Sequence, residues 1–124
     1  MNIIISNSSG KPIYEQITAQ VKQLIMTGVL KEGDALPSMR VLAKDLRISV
    51  ITTKRAYEEL ENEGFIETLT GKGSFVAGRD TELIKEEKYR QVEDLLNEAC
   101  DISKMSGITL QEMIDIVTLL YKEE

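Results

Sequence analysis

The sequence predicts a mainly α-helical chain with one small β-hairpin, and three observations lead to this fold class. Apolar residues recur at three- and four-residue spacing in five separate stretches. Two short apolar runs flank a glycine-containing tip after the third stretch, a pattern typical of a hairpin. The 124 residues allow one compact domain with an appendage, but not two full domains around a large ligand chamber.

The first helix is expected after a short, strand-like apolar segment at residues 3–5 and a polar turn at residues 7–10. Pro12 lies where a first helical turn tolerates proline, and Gly28 closes the helix. Between them, apolar residues follow the helical period and predict a buried face: Ile13, Ile17, Val21, Leu24 and Ile25.

Two short helices are expected after a loop at residues 31–34. Ser38 is the predicted N-cap of the second helix, and Ser49 that of the third, which runs to about Glu63 and ends at Gly64. The predicted apolar face of the second helix consists of Met39, Leu42, Ala43 and Leu46. The predicted buried stripe of the third helix consists of Thr53, Ala56, Tyr57 and Leu60.

The hairpin is expected to have strands at residues 65–69 and 74–77, joined by the tip Thr70 to Gly73. Two short helices joined by a tight turn, preceded by a helix and followed by a hairpin, describe a winged helix-turn-helix. We therefore expect a winged helix-turn-helix domain at residues 1–78 and a two-helix tail at residues 79–124.

The tail begins its helical period at Thr81, and Gly107 breaks it. Thr109 and Glu112 fit a capping box that starts the last helix, with Ile108 and Met113 as a hydrophobic staple. On the longer tail helix, one face is expected to hold Tyr89, Val92, Leu95, Leu96, Ala99 and Ile102.

Charge is distributed unevenly along this chain, whose formal net charge is −6. Residues 1–78 hold nine basic and nine acidic side chains, so the whole acidic excess lies in the tail. Residues 36–55 carry five cations against one carboxylate. A local positive surface inside an acidic protein favours a nucleic-acid partner, with the tail kept away from the phosphates.

In a winged helix-turn-helix, the first turns of the third helix enter the major groove, where donor side chains and the positive helix end meet phosphates and base edges. Acidic residues fill the later turns of this helix, so only its front half can approach DNA. The candidate contacts are Arg40 on the second helix, Ser49, Thr52, Lys54 and Arg55 on the third, and Gly71 with Lys72 at the hairpin tip. Singly, each is also compatible with a solvated cation, a helix cap or a tight turn.

Several motifs resemble the DNA-binding domain of the GntR family of bacterial transcription regulators over about residues 10–78. They are Pro12 to Ile17, Gly28 to Gly33, Leu36 to Ala43, Thr52 to Leu60, Glu63 to Ile66 and Gly71 to Val76. The short tail resembles the YtrA-type subfamily, which has a minimal dimerisation region in place of a ligand-binding domain.

The basic helix-turn-helix, the wing and the apolar tail together predict a dimeric, sequence-specific transcription regulator that acts as a repressor. The resemblance to the YtrA type implies a link to transporter genes. It implies Arg40 as a DNA contact, Ser49, Thr52 and Lys54 as recognition-helix contacts, and Gly71 with Lys72 as the wing tip. One departure is Val50-Ile51, which stands where relatives often have polar residues or proline. Apolar side chains can contact a thymine methyl group but cannot hydrogen-bond to a base.

The tail is expected to dimerise, because it is too short to form a stable domain and its last helix carries too wide an apolar surface. The predicted dimer interface consists of Val92, Leu96, Met113, Ile116, Val117, Leu119 and Leu120. A two-fold homodimer would present two recognition helices to a pseudo-palindromic operator. The alternative is that the last helix folds back onto its own winged domain.

Other function classes have less support. The chain has no His and only Cys100, so a nucleophile–base pair, a zinc cluster and any catalytic site are not expected, nor is a cofactor or metal. No secretion signal or bilayer-length apolar run is present, which predicts a cytoplasmic protein with no membrane partner. A small-molecule effector would have to bind between subunits or shift dimer geometry. The remaining alternative is a winged-helix protein-interaction module without DNA binding.

Overall fold

The computed structural model describes residues 1–78 and 81–123, and of Thr81 only the backbone. Its elements are α1 (Ile13–Met26), α2 (Met39–Leu46), α3 (Val50–Asn62), β1 (Ile66–Leu69), β2 (Gly73–Val76), α4 (Thr81–Ser106) and α5 (Leu110–Lys122). The predicted fold class, mainly α with one small hairpin, is confirmed. The chain forms two compact units, Met1–Lys85 and Glu86–Glu124. The predicted domain boundary after residue 78 adjoins residues outside the described part and stays a prediction.

The core of the first unit surrounds α3, against which α1 and α2 both pack. The buried stripe of α3 is the predicted one, Thr53, Ala56, Tyr57 and Leu60. Apolar side chains from the other elements close around it: Ile3, Ile17, Val21, Ile25, Leu36, Leu42, Phe65, Ile66 and Val76.

Both predicted serine caps are confirmed. The hydroxyl of Ser38 accepts a hydrogen bond from the N–H of Val41 at 3.1 Å, and that of Ser49 accepts one from the N–H of Thr52 at 3.0 Å. Between α2 and α3, Arg47 adopts the left-handed conformation with φ of 58°. This tight turn brings α3 directly back against α2.

The N-terminal segment is not a strand, so the prediction of a strand-like element at residues 3–5 is wrong. A glutamine side chain of α1 takes the place of a neighbouring strand. The N–H of Ile4 donates to Oε1 of Gln20 at 2.9 Å, and Nε2 of Gln20 donates to the carbonyl of Ile4 at 2.6 Å. Gln16 holds the N–H and carbonyl of Ser6 in the same way. An apolar run anchored by side-chain amides has the same local pattern as a strand.

The hairpin pairs β1 and β2 in antiparallel register, with Ile66 opposite Val76 and Leu69 opposite Gly73. The segment before α2 adds a short third row of hydrogen bonds along β2. The N–H of Gly33 donates to the carbonyl of Val76, and the N–H of Leu36 donates to the carbonyl of Ser74, both at 2.9 Å. The predicted loop at residues 31–34 is therefore partly tied to the wing.

The second unit contains most of α4 and all of α5. Gly107, with φ of 75°, lies at the bend between the two helices, as predicted. The capping box is confirmed: the N–H and hydroxyl of Thr109 bond to the carboxylate of Glu112 and lower its pKa. All thirteen residues of α5 are described, and none of them is buried. No helix among residues 1–78 and 81–123 has the unbroken apolar length that a bilayer span requires.

Candidate nucleic-acid interface

The first two turns of α3 carry four of the predicted contact residues. Ser49, as N-cap, has its hydroxyl 2.8 Å from that of half-buried Thr52. Because the Ser49 hydroxyl already accepts from the backbone of Thr52, its first role is structural, and it also orients the Thr52 hydroxyl. The cap takes up one of the free N–H groups at this helix end, whose partial positive charge still favours an anion.

Lys54 and Arg55 follow on the next turn, and both are exposed. The ammonium of Lys54 lies 3.9 Å from the carboxylate of Glu58, and both side chains are largely exposed. Such a pair contributes little in water, so it leaves Lys54 available to a phosphate. Within the described residues, no other cation of α2 or α3 has a carboxylate partner.

Arg55 has a different partner, the aromatic ring of Tyr14 near the start of α1. The guanidinium carbon lies 3.8 Å from the centre of the ring, which is cation–π contact. Tyr14 is half-buried and packs against the core, so the position of its ring is fixed and limits the motion of the guanidinium. Tyr14 was not among the predicted contact residues. The only signal was its place within the motif from Pro12 to Ile17.

Arg40 is the second residue of α2 and is exposed, as predicted. Its helix is held to α3 by Tyr57, whose hydroxyl donates to the carbonyl of Pro37 at 2.7 Å. Tyr57 is buried, and burial raises the pKa of its phenol, which moves its ionisation still further above physiological pH. This bond fixes the entry of the chain into α2 and hence the place of Arg40.

Lys72 lies at the hairpin tip between two glycines with positive φ, 78° at Gly71 and 107° at Gly73. Its N–H closes the turn on the carbonyl of Leu69 at 2.9 Å. A Cβ atom added to either glycine would meet no atom within 4 Å, so glycine serves the backbone conformation and not close packing. Lys72 is therefore exposed at a narrow tip, with no side chains on its two neighbours.

The structure thus brings Ser49, Thr52, Lys54 and Arg55 onto two turns of one helix, with Arg40 on the adjoining helix. Gly71 and Lys72 lie apart from them, at the wing tip of the same compact unit. The surface offers N–H and O–H donors and positive charge, which suit phosphates and base edges. The roles of these residues as DNA contacts remain predictions.

Comparison with known proteins agrees with this geometry. The sequence pattern of the bacterial regulatory proteins of the gntR family matches residues 13–76. The HTH-type transcriptional repressor YtrA of Bacillus subtilis (strain 168) is 37% identical over 111 residues, which are 90% of this chain and 85% of that protein.

Solved structures are similar over 73% to 98% of this chain. A transcriptional antiterminator from Listeria monocytogenes EGD-e has 30% identity and a TM-score of 0.71, covering 98% of this chain and 91% of its own. YtrA from Sulfolobus acidocaldarius, a GntR-family transcription factor, has 38% identity and a TM-score of 0.57, covering 73% and 97%.

Proposed function

Because this chain belongs to the GntR family of bacterial regulatory proteins, DNA-binding regulators of transcription and not enzymes, we propose that it is a homodimeric repressor of a short pseudo-palindromic operator. The observation that carries the proposal is the bare apolar face of α5. The candidate interface of the first unit supplies the DNA contacts.

The apolar side chains of the tail remain exposed in a single chain. On α5, Ile116 and Val117 are about half exposed, and Leu119 and Leu120 are 72% and 61% exposed. Val92 and Leu96 on α4 are also exposed, while Met113 is half-buried. Several exposed apolar side chains on one helix are typical of a protein interface. A second copy of the chain is the occupant we propose.

A two-fold dimer explains how a chain with only one small DNA-binding domain could bind its operator. Two copies of α3 related by a two-fold axis would reach successive major grooves about 34 Å apart, and the operator would repeat its half-site with the same symmetry. Neutralising several phosphates in each half supplies affinity that one domain alone would lack.

Repression is favoured by the Bacillus subtilis relative, which is named a repressor and matches 90% of this chain. We propose that the dimer blocks promoter access in the cytoplasm and controls a transporter operon. A small-molecule effector would bind between subunits and act by changing the spacing of the two α3 helices.

Sedimentation velocity and footprinting test this function together. We expect a dimer at low micromolar concentration, two chains per protected site upstream of the protein's own gene, and affinity that falls steeply with salt, by a log–log slope of about −0.9 per neutralised phosphate. One chain per site would overturn the dimeric mode. Salt-independent retention, or none on any fragment of the locus, would favour a protein-interaction module.

A further inference from the structure

Ile51 is an apolar side chain placed in the middle of a surface otherwise suited to an anion. It is 81% exposed, the most exposed apolar residue of α3. At 100° per residue it lies about 170° from the centre of the buried stripe of this helix. Ile51 therefore points away from the core, on the turn that also carries Thr52.

The neighbours of Ile51 exclude an apolar protein partner as the natural occupant. Lys54 and Arg55 follow it by three and four residues, so both lie beside it on the same face. Arg55 is held in place by the ring of Tyr14. An apolar partner would have to desolvate these two cations, which costs free energy. A DNA duplex would instead neutralise them with its phosphates while the first turns of α3 lie in its major groove.

Ile51 cannot donate or accept a hydrogen bond. Among the groups that base pairs present in the major groove, the 5-methyl group of thymine is the apolar one. A β-branched side chain in a helix also keeps one χ1 rotamer about 90% of the time, so its methyl groups hold a fixed direction. Isoleucine at this position is therefore suited to an apolar contact with a methyl group of matching shape.

We propose that Ile51 contacts the 5-methyl group of a thymine in each half-site and so determines sequence specificity at that position. The inference rests on the proposed function, since it requires that α3 enters the major groove. Lys54 and Arg55 then supply contacts to the phosphates beside that thymine, and Ile51 selects the base.

Selection from a random duplex library provides the site on which the inference is tested. The full chain selects from duplexes with about 20 random base pairs, enough for two half-sites. Each thymine of a selected duplex is then replaced in turn by deoxyuridine, which lacks only the 5-methyl group. Fluorescence anisotropy measures the dissociation constant for every replacement.

For the wild-type chain, we expect one thymine per half-site whose replacement weakens binding about fourfold, the factor that corresponds to burial of one methyl-sized group. In Ile51→Ala the same replacement should change binding less than about twofold, because the apolar partner is gone. Alanine is a better helix former than isoleucine, so this variant should fold. Ile4→Ala, which truncates another exposed isoleucine outside α3, should keep the wild-type profile.

A wild-type scan with no methyl-sensitive thymine would overturn the inference without any variant. Equal deoxyuridine penalties in wild type and Ile51→Ala would overturn it as well, and would assign the methyl contact to another side chain. Either result, obtained on an enriched sequence, leaves the proposed function standing. A library with no enrichment at all would overturn both.

Discussion

The guanidinium of Arg55 stacks on the ring of Tyr14, at 3.8 Å from guanidinium carbon to ring centre. The contact joins the start of α1 to the second turn of α3, where the candidate interface lies. Arg55 has no carboxylate partner in the described chain, so the stack limits its motion without neutralising it. We therefore expect Tyr14 to act as a positioning residue for a cation of the candidate interface.

Removal of the ring should weaken DNA binding through Arg55. We expect Tyr14→Leu to lower affinity for a random-sequence duplex by a factor of about two to five, which corresponds to a cation–π contribution of about 0.5–1 kcal/mol. Tyr14→Phe, which keeps the ring, should match the wild type. Anisotropy titrations of both variants, alone and combined with Arg55→Ala, measure the coupling. Full additivity of the Tyr14→Leu and Arg55→Ala losses would contradict the positioning role.

Arg40 should contribute to specific recognition without supporting the fold. Because its side chain is exposed and lacks a carboxylate partner in the described residues, Arg40→Ala should leave the melting temperature unchanged. It should weaken binding to the selected operator by about 1–3 kcal/mol. Lys31→Ala, which removes an exposed cation outside the predicted contact set, is the matched control. A band shift with unchanged affinity in Arg40→Ala would count against the assignment.

Lys72 should contribute to affinity and not to specificity. A lysine on a glycine-flanked tip can reach the phosphate backbone, so Lys72→Ala should weaken binding to all sequences alike. It should reduce the salt slope by about 0.9 for each subunit, and so by about 1.8 for the proposed dimer. Titrations on operator and random duplexes at several salt concentrations measure both quantities. Lys122→Ala in the tail should change neither. A loss confined to one base position would show that Lys72 reads sequence.

Tyr57 should make stability depend on alkaline pH. Its raised pKa means that the folded state holds the phenol proton above pH of about 10, where the unfolded chain releases it. Stability from this group is therefore complete below about pH 10 and decreases above it, by up to about 1.4 kcal/mol per pH unit.

Urea unfolding at about pH 8 and at about pH 11 measures this dependence. Tyr57→Phe should lose about 1 kcal/mol at the lower pH, because the Pro37 carbonyl loses its donor, and should show a shallower alkaline decline. An identical decline in both proteins would mean that other groups cause it.

Leu119 should be required for self-association. Burying a carboxylate in an apolar dimer interface is costly, so Leu119→Asp should favour monomers at low micromolar concentration. Leu83→Asp makes the same chemical change at another exposed helical leucine, outside the predicted interface, and should remain dimeric. Light scattering distinguishes the two outcomes. A full dimer in Leu119→Asp would remove that residue from the interface.

Features set by neighbouring residues were predictable from the sequence. The caps at Ser38 and Ser49, the capping box at Thr109 and the buried stripe of α3 all follow from patterns within a few residues. Arg40, Lys54 and Arg55 are exposed for the same reason, since they lie off the apolar faces of their helices.

Features that join distant residues were not predictable in this way. The stack of Arg55 on Tyr14 and the amide clamp of Gln20 on Ile4 each link positions far apart in the chain. No periodicity marks such a pair, because a hydrophobic pattern describes only residues that are a few positions apart. The left-handed conformation of Arg47 could not be predicted either, since glycine is the residue that usually adopts it.

The hydrogen bonds of Gly33 and Leu36 to β2 have a consequence for how this chain can vary in length. An extra residue at the tip between Leu69 and Gly73 would lengthen only the wing. An extra residue between Gly33 and Ser38 would break the pairing to β2 or shift α2, and Arg40 with it. The fold should therefore tolerate insertions at the tip but not between Gly33 and Ser38. The length of the wing can thus evolve independently of the positions of α2 and α3.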